Sequence, residues 1–141
     1  MLRPGLTLLL WLTQALLIVV NNMIGDTLIA EAIGLRPAGW YKVLVPLPYV
    51  ALMATIHARR TVGPQWPIAA LSASVCWPLS TALLDVLFGR LTYHEELADV
   101  VDRYGVQWGA PFPWLLLAQA LLPLLCGWVT MRTARSKDRP R

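Results

Sequence analysis

The chain has 141 residues, 57% of them hydrophobic and only 14% charged, with a mean hydropathy of +0.54 and a formal charge of +4. Soluble domains usually carry about 25% charged residues. This composition excludes a water-covered globule and calls for comparison with bilayer dimensions, where ~20 apolar residues span the hydrocarbon core.

The first apolar window is residues 6–24, LTLLLWLTQALLIVVNNMI. Arg3 before it and Ala30-Glu31-Ala32 after it resemble the parts of a signal peptide with an A-x-A cleavage pattern. Nine residues, 21–29, separate the apolar run 6–20 from that pattern, long for a cleavage region. The window therefore reads as a retained helix, with cleavage near residue 33 as the alternative. The next stretch, GDTLIAEAIGLRPAG, has room for a short helix with Asp26 as N-cap and Gly34 after its end.

The second window is residues 40–58 and the third is 68–88. The short linker RRTVGPQWP between them makes the two helices antiparallel neighbours. After the third window comes TYHEELADVVDRYG. Tyr93, Leu97, Val100 or Val101, and Tyr104 recur there at helical spacing, Glu95, Asp99 and Asp102 form another face, and Gly105 supplies a stop. This predicts a short amphipathic helix on the outer surface or capping the bundle. The fourth window is residues 112–131, followed by a basic tail over 132–141. Pro46, Pro48, Pro67, Pro111 and Pro113 fall at helix starts, where a missing N–H costs nothing. Pro78 and Pro123 fall inside spans and predict kinks. The expected fold is all-α: one polytopic membrane domain over 1–141, with four transmembrane helices and one surface helix.

Four spans put both termini on one side. Arg3, Arg59, Arg60, Arg132, Arg135, Lys137, Arg139 and Arg141 collect there, against Arg36, Lys42, Arg90 and Arg103 opposite. The positive-inside rule then makes the termini cytoplasmic. The same rule explains the basic tail without nucleic acid and sets it near anionic lipid headgroups. Trp11, Trp66 and Trp128 belong near the inner interface and Trp40, Trp108 and Trp114 near the outer one. Trp77 alone is deep, so it should pack inside the bundle.

Catalytic and cofactor signatures are thin. His57 and His94 fall on opposite sides and cannot share one haem iron. Glu95, Asp99 and Asp102 could share a helix face around a divalent ion, but a solvated acidic face is the commoner meaning. Cys76 and Cys126 make no C-x-x-C and read as buried small hydrophobes. There is no G-x-S-x-G and no phosphate-cradling glycine loop. No cofactor and no metal is expected.

The intramembrane polar groups are the better lead. Gln14, Asn21 and Asn22 lie on the first helix, Ser74, Thr81 and Asp85 on the third, and Gln119 on the fourth. Such groups should face the bundle interior, where they find partners. Ala69, Ala70, Ala73 and Ser74 have the small-xxx-small spacing that permits close helix approach. A charged aspartate at mid-bilayer costs about 2.5–3.5 kcal/mol, so Asp85 should face inward on a polar partner. Lys42, Asn21 and Asn22 are the expected partners, with Arg90 as another if it folds back. The candidate intramembrane polar site is thus Asp85, Thr81, Asn21, Asn22, Lys42, Gln119 and Trp77.

Trp77, Thr81, Asp85, Phe88, Gly89 and Arg90 spell W-x3-T-x3-D-x2-F-G-R. This resembles a pattern in small bacterial four-helix membrane proteins of uncharacterised function. Ala98-Asp99 and Pro123 are similar to further elements of that family, and the likeness covers roughly the second half of the chain. The resemblance implies the four-helix architecture and makes Asp85 part of a shared motif, with no activity attached. Three classes of function fit. The first is a non-enzymatic module that assembles with itself or another membrane protein. The second is a transporter or channel subunit with Asp85, Asn21 and Gln119 along a polar path. The third is an interfacial enzyme using Asp85 with His94 or Glu95. Small multidrug transporters place a glutamate in their first helix, which has no counterpart here, and the charge bias opposes a dual-topology fluoride channel.

Overall fold

A computed structural model describes residues 2–137, without the side chains of Trp108, Arg135 and Lys137. Arg139 and Arg141 of the basic tail lie outside the described residues. Every regular element described is helical. Four helices are long and apolar enough to cross a membrane: α1 (Pro4–Ile33), α2 (Leu35–Arg60), α3 (Trp66–Leu91) and, after the short helix α4 (Leu97–Asp102), α5 (Phe112–Lys137).

The helices outrun the apolar windows. The first does not stop near residue 24 but continues through a wide π turn, Gly25–Ile29, to Ile33. Asp26 is consequently no N-cap, and its side chain makes no cap hydrogen bond. Gly34 does end the helix: its φ of 92° is open to glycine at little cost, and α2 starts at the next residue. A single residue thus reverses the chain, which sets α1 and α2 antiparallel. Close contact between them needs Gly25, where a Cβ would meet Cγ of Lys42 at 2.5 Å.

Around the bundle, α5 packs on α3 and α2, and α2 packs on α1. Ala69, Ala70, Ala73 and Ser74 are all buried, as their spacing predicts. They let α3 approach α5, where Gly127 admits the ring of Trp66; a Cβ at Gly127 would lie 2.9 Å from it. Pro78 and Pro123 sit within continuous helices.

The core is layered. One apolar layer, toward the end that holds the termini, is Leu10, Ala54, Ala73 and Trp77. The other, toward the end that holds the long loops, is Ile18, Val43, Val50 and Leu115. Between them on α1 and α5 lie Gln14 and Gln119, both 0% exposed and joined by a 3.2 Å hydrogen bond. The outward faces of the long helices are leucine-rich and exposed. Cys76 lies on such a face rather than in the core, contrary to expectation, because it falls between the inward positions Ala73 and Trp77. Cys126 is half-buried, 3.6 Å from Oγ1 of Thr55.

The surface helix is shorter than predicted. Residues 93–96 form a turn, in which His94 takes a left-handed φ of 53°, and α4 begins only at Leu97. Tyr93, Leu97 and Val101 are exposed, while Val100 is 1% exposed and holds α4 to the bundle.

Candidate functional site

The motif positions Trp77, Thr81, Asp85 and Gly89 recur every four residues, so they form one stripe along α3. Each meets a different partner. The indole of Trp77 donates to the Thr7 carbonyl at 3.0 Å. Thr81 accepts from the Trp11 indole at 3.2 Å. Asp85 Oδ2 accepts from the Tyr104 hydroxyl at 3.0 Å and lies 3.8 Å from Nη2 of Arg103. The first two bonds pin α3 to α1 from Thr7 to Thr81. Beyond that level both helices border a cavity.

Gly89 explains how the loop reaches Asp85. A Cβ there would meet Glu95 Oε2 at 2.6 Å, Arg103 Nη2 at 2.8 Å and Val100 Cγ2 at 3.0 Å. Its absence lets the Glu95–Arg103 ion pair, 2.7 Å long, lie directly on α3. The Glu95 N–H donates to the Gly89 carbonyl at 2.9 Å, and Arg90 donates to the Glu95 carbonyl at 2.8 Å. These bonds fold the loop back over the helix end and deliver Arg103 and Tyr104 to the carboxylate. The Tyr104 ring is held edge-on against Phe112, centroids 5.2 Å apart. Burial, and then the neighbouring Asp85 carboxylate, push the Tyr104 phenol above its ordinary pKa, so it stays a donor.

The partners of Asp85 are therefore not those expected. Lys42 is taken by Asp26 at 2.7 Å, since the one-residue reversal at Gly34 sets the start of α2 beside the π turn. Asn21 donates to the Lys42 carbonyl at 3.4 Å, and Arg90 turns to Glu95. Gln119 pairs with Gln14 in the layer below, and Trp77 lies deeper still, against His57. Glu95, engaged with Arg103, does not share a face with Asp99 and Asp102, since it precedes the first turn of α4.

What does gather is a cavity of about 410 Å³ at the loop end, in the size range of small-ligand sites. Asn22, Lys42, Thr81 and Asp85 line it, with Asp26, Asp99, Asp102 and Arg103 adding charge. Ile18, Leu84, Phe88 and Phe112 supply apolar wall. The buried Gln14, Gln119 and Trp77 do not line it.

His57 is a polar residue whose burial the sequence reading missed. It is 0% exposed, with Nε2 3.0 Å from Thr7 Oγ1 and its ring edge-on to Trp77. The Thr7 hydroxyl is also within 3.3 Å of the Arg3 carbonyl. The available signal was spacing: Val50, Ala54 and His57 fall on one helical face.

No family model matches the chain, and no curated protein or solved structure matches it either.

Proposed function

We propose that this chain is a non-enzymatic, multi-pass protein of a bacterial cytoplasmic membrane, and that it serves as a small ligand-binding module. Both termini are cytoplasmic, and the cavity over Asp85 opens outward. The observation that carries this reading is the cavity itself, roofed by a loop whose ion pair rests on Gly89, while the glutamine pair is buried in the core and does not line it. The leucine-rich outward faces are suited to lipid, and the arginines at the termini end agree with retention in the cytoplasm. The bilayer is thus a standing partner, and a second copy or another membrane protein is a further one; nucleic acid is not. The W-x3-T-x3-D-x2-F-G-R likeness belongs to this proposal, since its polar residues either pin α3 or border the cavity.

Transport is the second reading, favoured by one observation: the cavity reaches Asp85. It requires the Gln14–Gln119 pair to part, because below it the core is packed. An enzyme is supported least, as Asp85 is engaged by Tyr104 and Arg103 rather than by His94 or Glu95.

Cysteine labelling tests the binding-module reading. In a Cys76→Ala/Cys126→Ala background, Leu84→Cys should react with a membrane-impermeant maleimide added from the outer face. A thiol at position 84 that is inert from that face would mean the cavity is closed, and the reading would fall.

A further inference from the structure

We propose that the loop-end cavity binds an organic ammonium ion carrying a short apolar group. The ammonium sits over Asp85, and the apolar part lies against Ile18, Leu84 and Phe88. The proposal rests on reading the cavity as a binding site and adds the class of its ligand.

Charge comes first. The lining carboxylates are Asp26, Asp85, Asp99 and Asp102, and the lining cations are Lys42 and Arg103. Lys42 is matched by Asp26 at 2.7 Å. Arg103 is shared, 2.7 Å from Glu95 and 3.8 Å from Asp85, so one guanidinium faces two carboxylates. Asp99 and Asp102 have no lysine, arginine or histidine nitrogen within 4.0 Å among the described residues. An arriving cation meets uncompensated carboxylate; an arriving anion meets two cations already paired and a surplus of negative charge.

Hydrogen-bonding capacity points the same way. Both contacts to Asp85 fall on Oδ2, which leaves Oδ1 without a protein donor among the described residues. A carboxylate oxygen left without a donor on a residue that lines the cavity calls for a ligand with N–H donors.

The apolar wall decides between an organic and a metal cation. No three of the described His, Cys, Asp and Glu side chains gather closely enough to hold one metal ion. Ile18, Val19, Leu84, Phe88 and Phe112 instead offer surface that a hydrated ion cannot use. Above the Trp11–Thr81 bond, this wall runs between α1 and α3. An ammonium ion that is free in the outer medium and the ammonium headgroup of a lipid share the required chemistry.

Protection of the Leu84→Cys thiol tests this directly. The protein, in the cysteine-free background, is placed in nanodiscs of phosphatidylglycerol alone. Maleimide labelling is then followed with n-hexylammonium, hexane-1-sulfonate or hexan-1-ol present. The expected result is that only hexylammonium slows labelling. Asp85→Asn should weaken that protection on the order of ten-fold, as for the loss of a charged hydrogen bond. Asp99→Asn/Asp102→Asn, at two exposed positions, should weaken it too and serves if Asp85→Asn does not fold. Repeating the labelling in discs containing phosphatidylethanolamine separates the sources. Slow labelling without added amine supports the lipid headgroup; fast labelling that hexylammonium still slows supports the free ion. Equal protection by hexan-1-ol or by the sulfonate, or protection by none of the three, overturns the ammonium assignment and leaves the cavity standing. A thiol that never labels overturns the cavity reading and the ammonium proposal with it.

Discussion

The hydroxyl of Tyr104 donates to Asp85 across 3.0 Å, joining the loop after α4 to the second turn from the end of α3. The same hydroxyl lies 3.3 Å from the Ala82 carbonyl, so its proton has two acceptors on one helix. The bond ties the roof of the cavity to the carboxylate that lines it.

Tyr104→Phe removes that donor while keeping the ring against Phe112. It should destabilise the protein by about 1 kcal/mol, measured by reversible unfolding in mixed detergent. The pH dependence follows from the raised phenol. Folding favours the protonated form, so the contribution is complete below pH 10.0, the ordinary value, and is lost as pH rises through the higher folded value. Stability of the parent protein should fall more steeply above pH 10.0 than that of Tyr104→Phe. Identical slopes would place the phenol in water.

Asp85→Asn and Asp85→Leu separate packing from charge. Asparagine can still accept from Tyr104 and should fold with little loss. Leucine leaves the Tyr104 hydroxyl only the longer contact to the Ala82 carbonyl and a share of Arg103 unanswered, at a cost of ~1–3 kcal/mol. Equal stability of the two variants would show that the Tyr104 and Arg103 contacts contribute nothing.

Gly89→Ala should loosen the loop without unfolding the bundle. Alanine is the better helix former by about 1 kcal/mol, so by propensity alone the change stabilises. Here the added Cβ displaces Glu95 and Arg103 from α3. Faster amide exchange over residues 97–104, with the spans unchanged, is the expected reading. Unchanged exchange in the loop would mean that the ion pair does not hold it.

Gln14 and Gln119 should behave as a unit. Gln14→Leu strands a buried amide, costing about 1 kcal/mol, and adding Gln119→Leu should restore most of it. Additive losses in the double variant would argue that each amide has a separate partner.

Much of this was legible beforehand. Apolar length gave four long helices, the close-packing face of Ala69, Ala70, Ala73 and Ser74 followed from spacing, and the burial of Trp77 followed from its depth in the span. The continuation of α1 past residue 24 was hidden because Asp26, Thr27 and Glu31 lower hydropathy without breaking a helix; only Gly34 does that. The partner of Asp85 was misread for a related reason. Depth along the spans singled out Lys42, but the reversal at Gly34 brings Asp26 to Lys42 first. Tyr104 is nineteen residues from Asp85, and what brings it there is the missing side chain at Gly89, a signal already present in the F-G-R end of the motif.

Reporter fusions after Arg141 and within residues 95–105 should place the first in the cytoplasm and the second outside. An outward C-terminus would reverse the assignment of the cavity to the outer face.

The central claim is a cavity open on one side and blind beneath Asp85. Single cysteines at Leu84 and at Ala73 on α3, in the cysteine-free background, test it with an impermeant maleimide applied to each face in turn. Labelling at position 84 from the outer face only, and at position 73 from neither, is the expected result. Labelling at 73 from the outer face, or at 84 from the cytoplasmic face, would reveal an aqueous path through the glutamine layer and contradict it; labelling at 73 from the cytoplasmic face would open the layer beneath that pair and contradict it too.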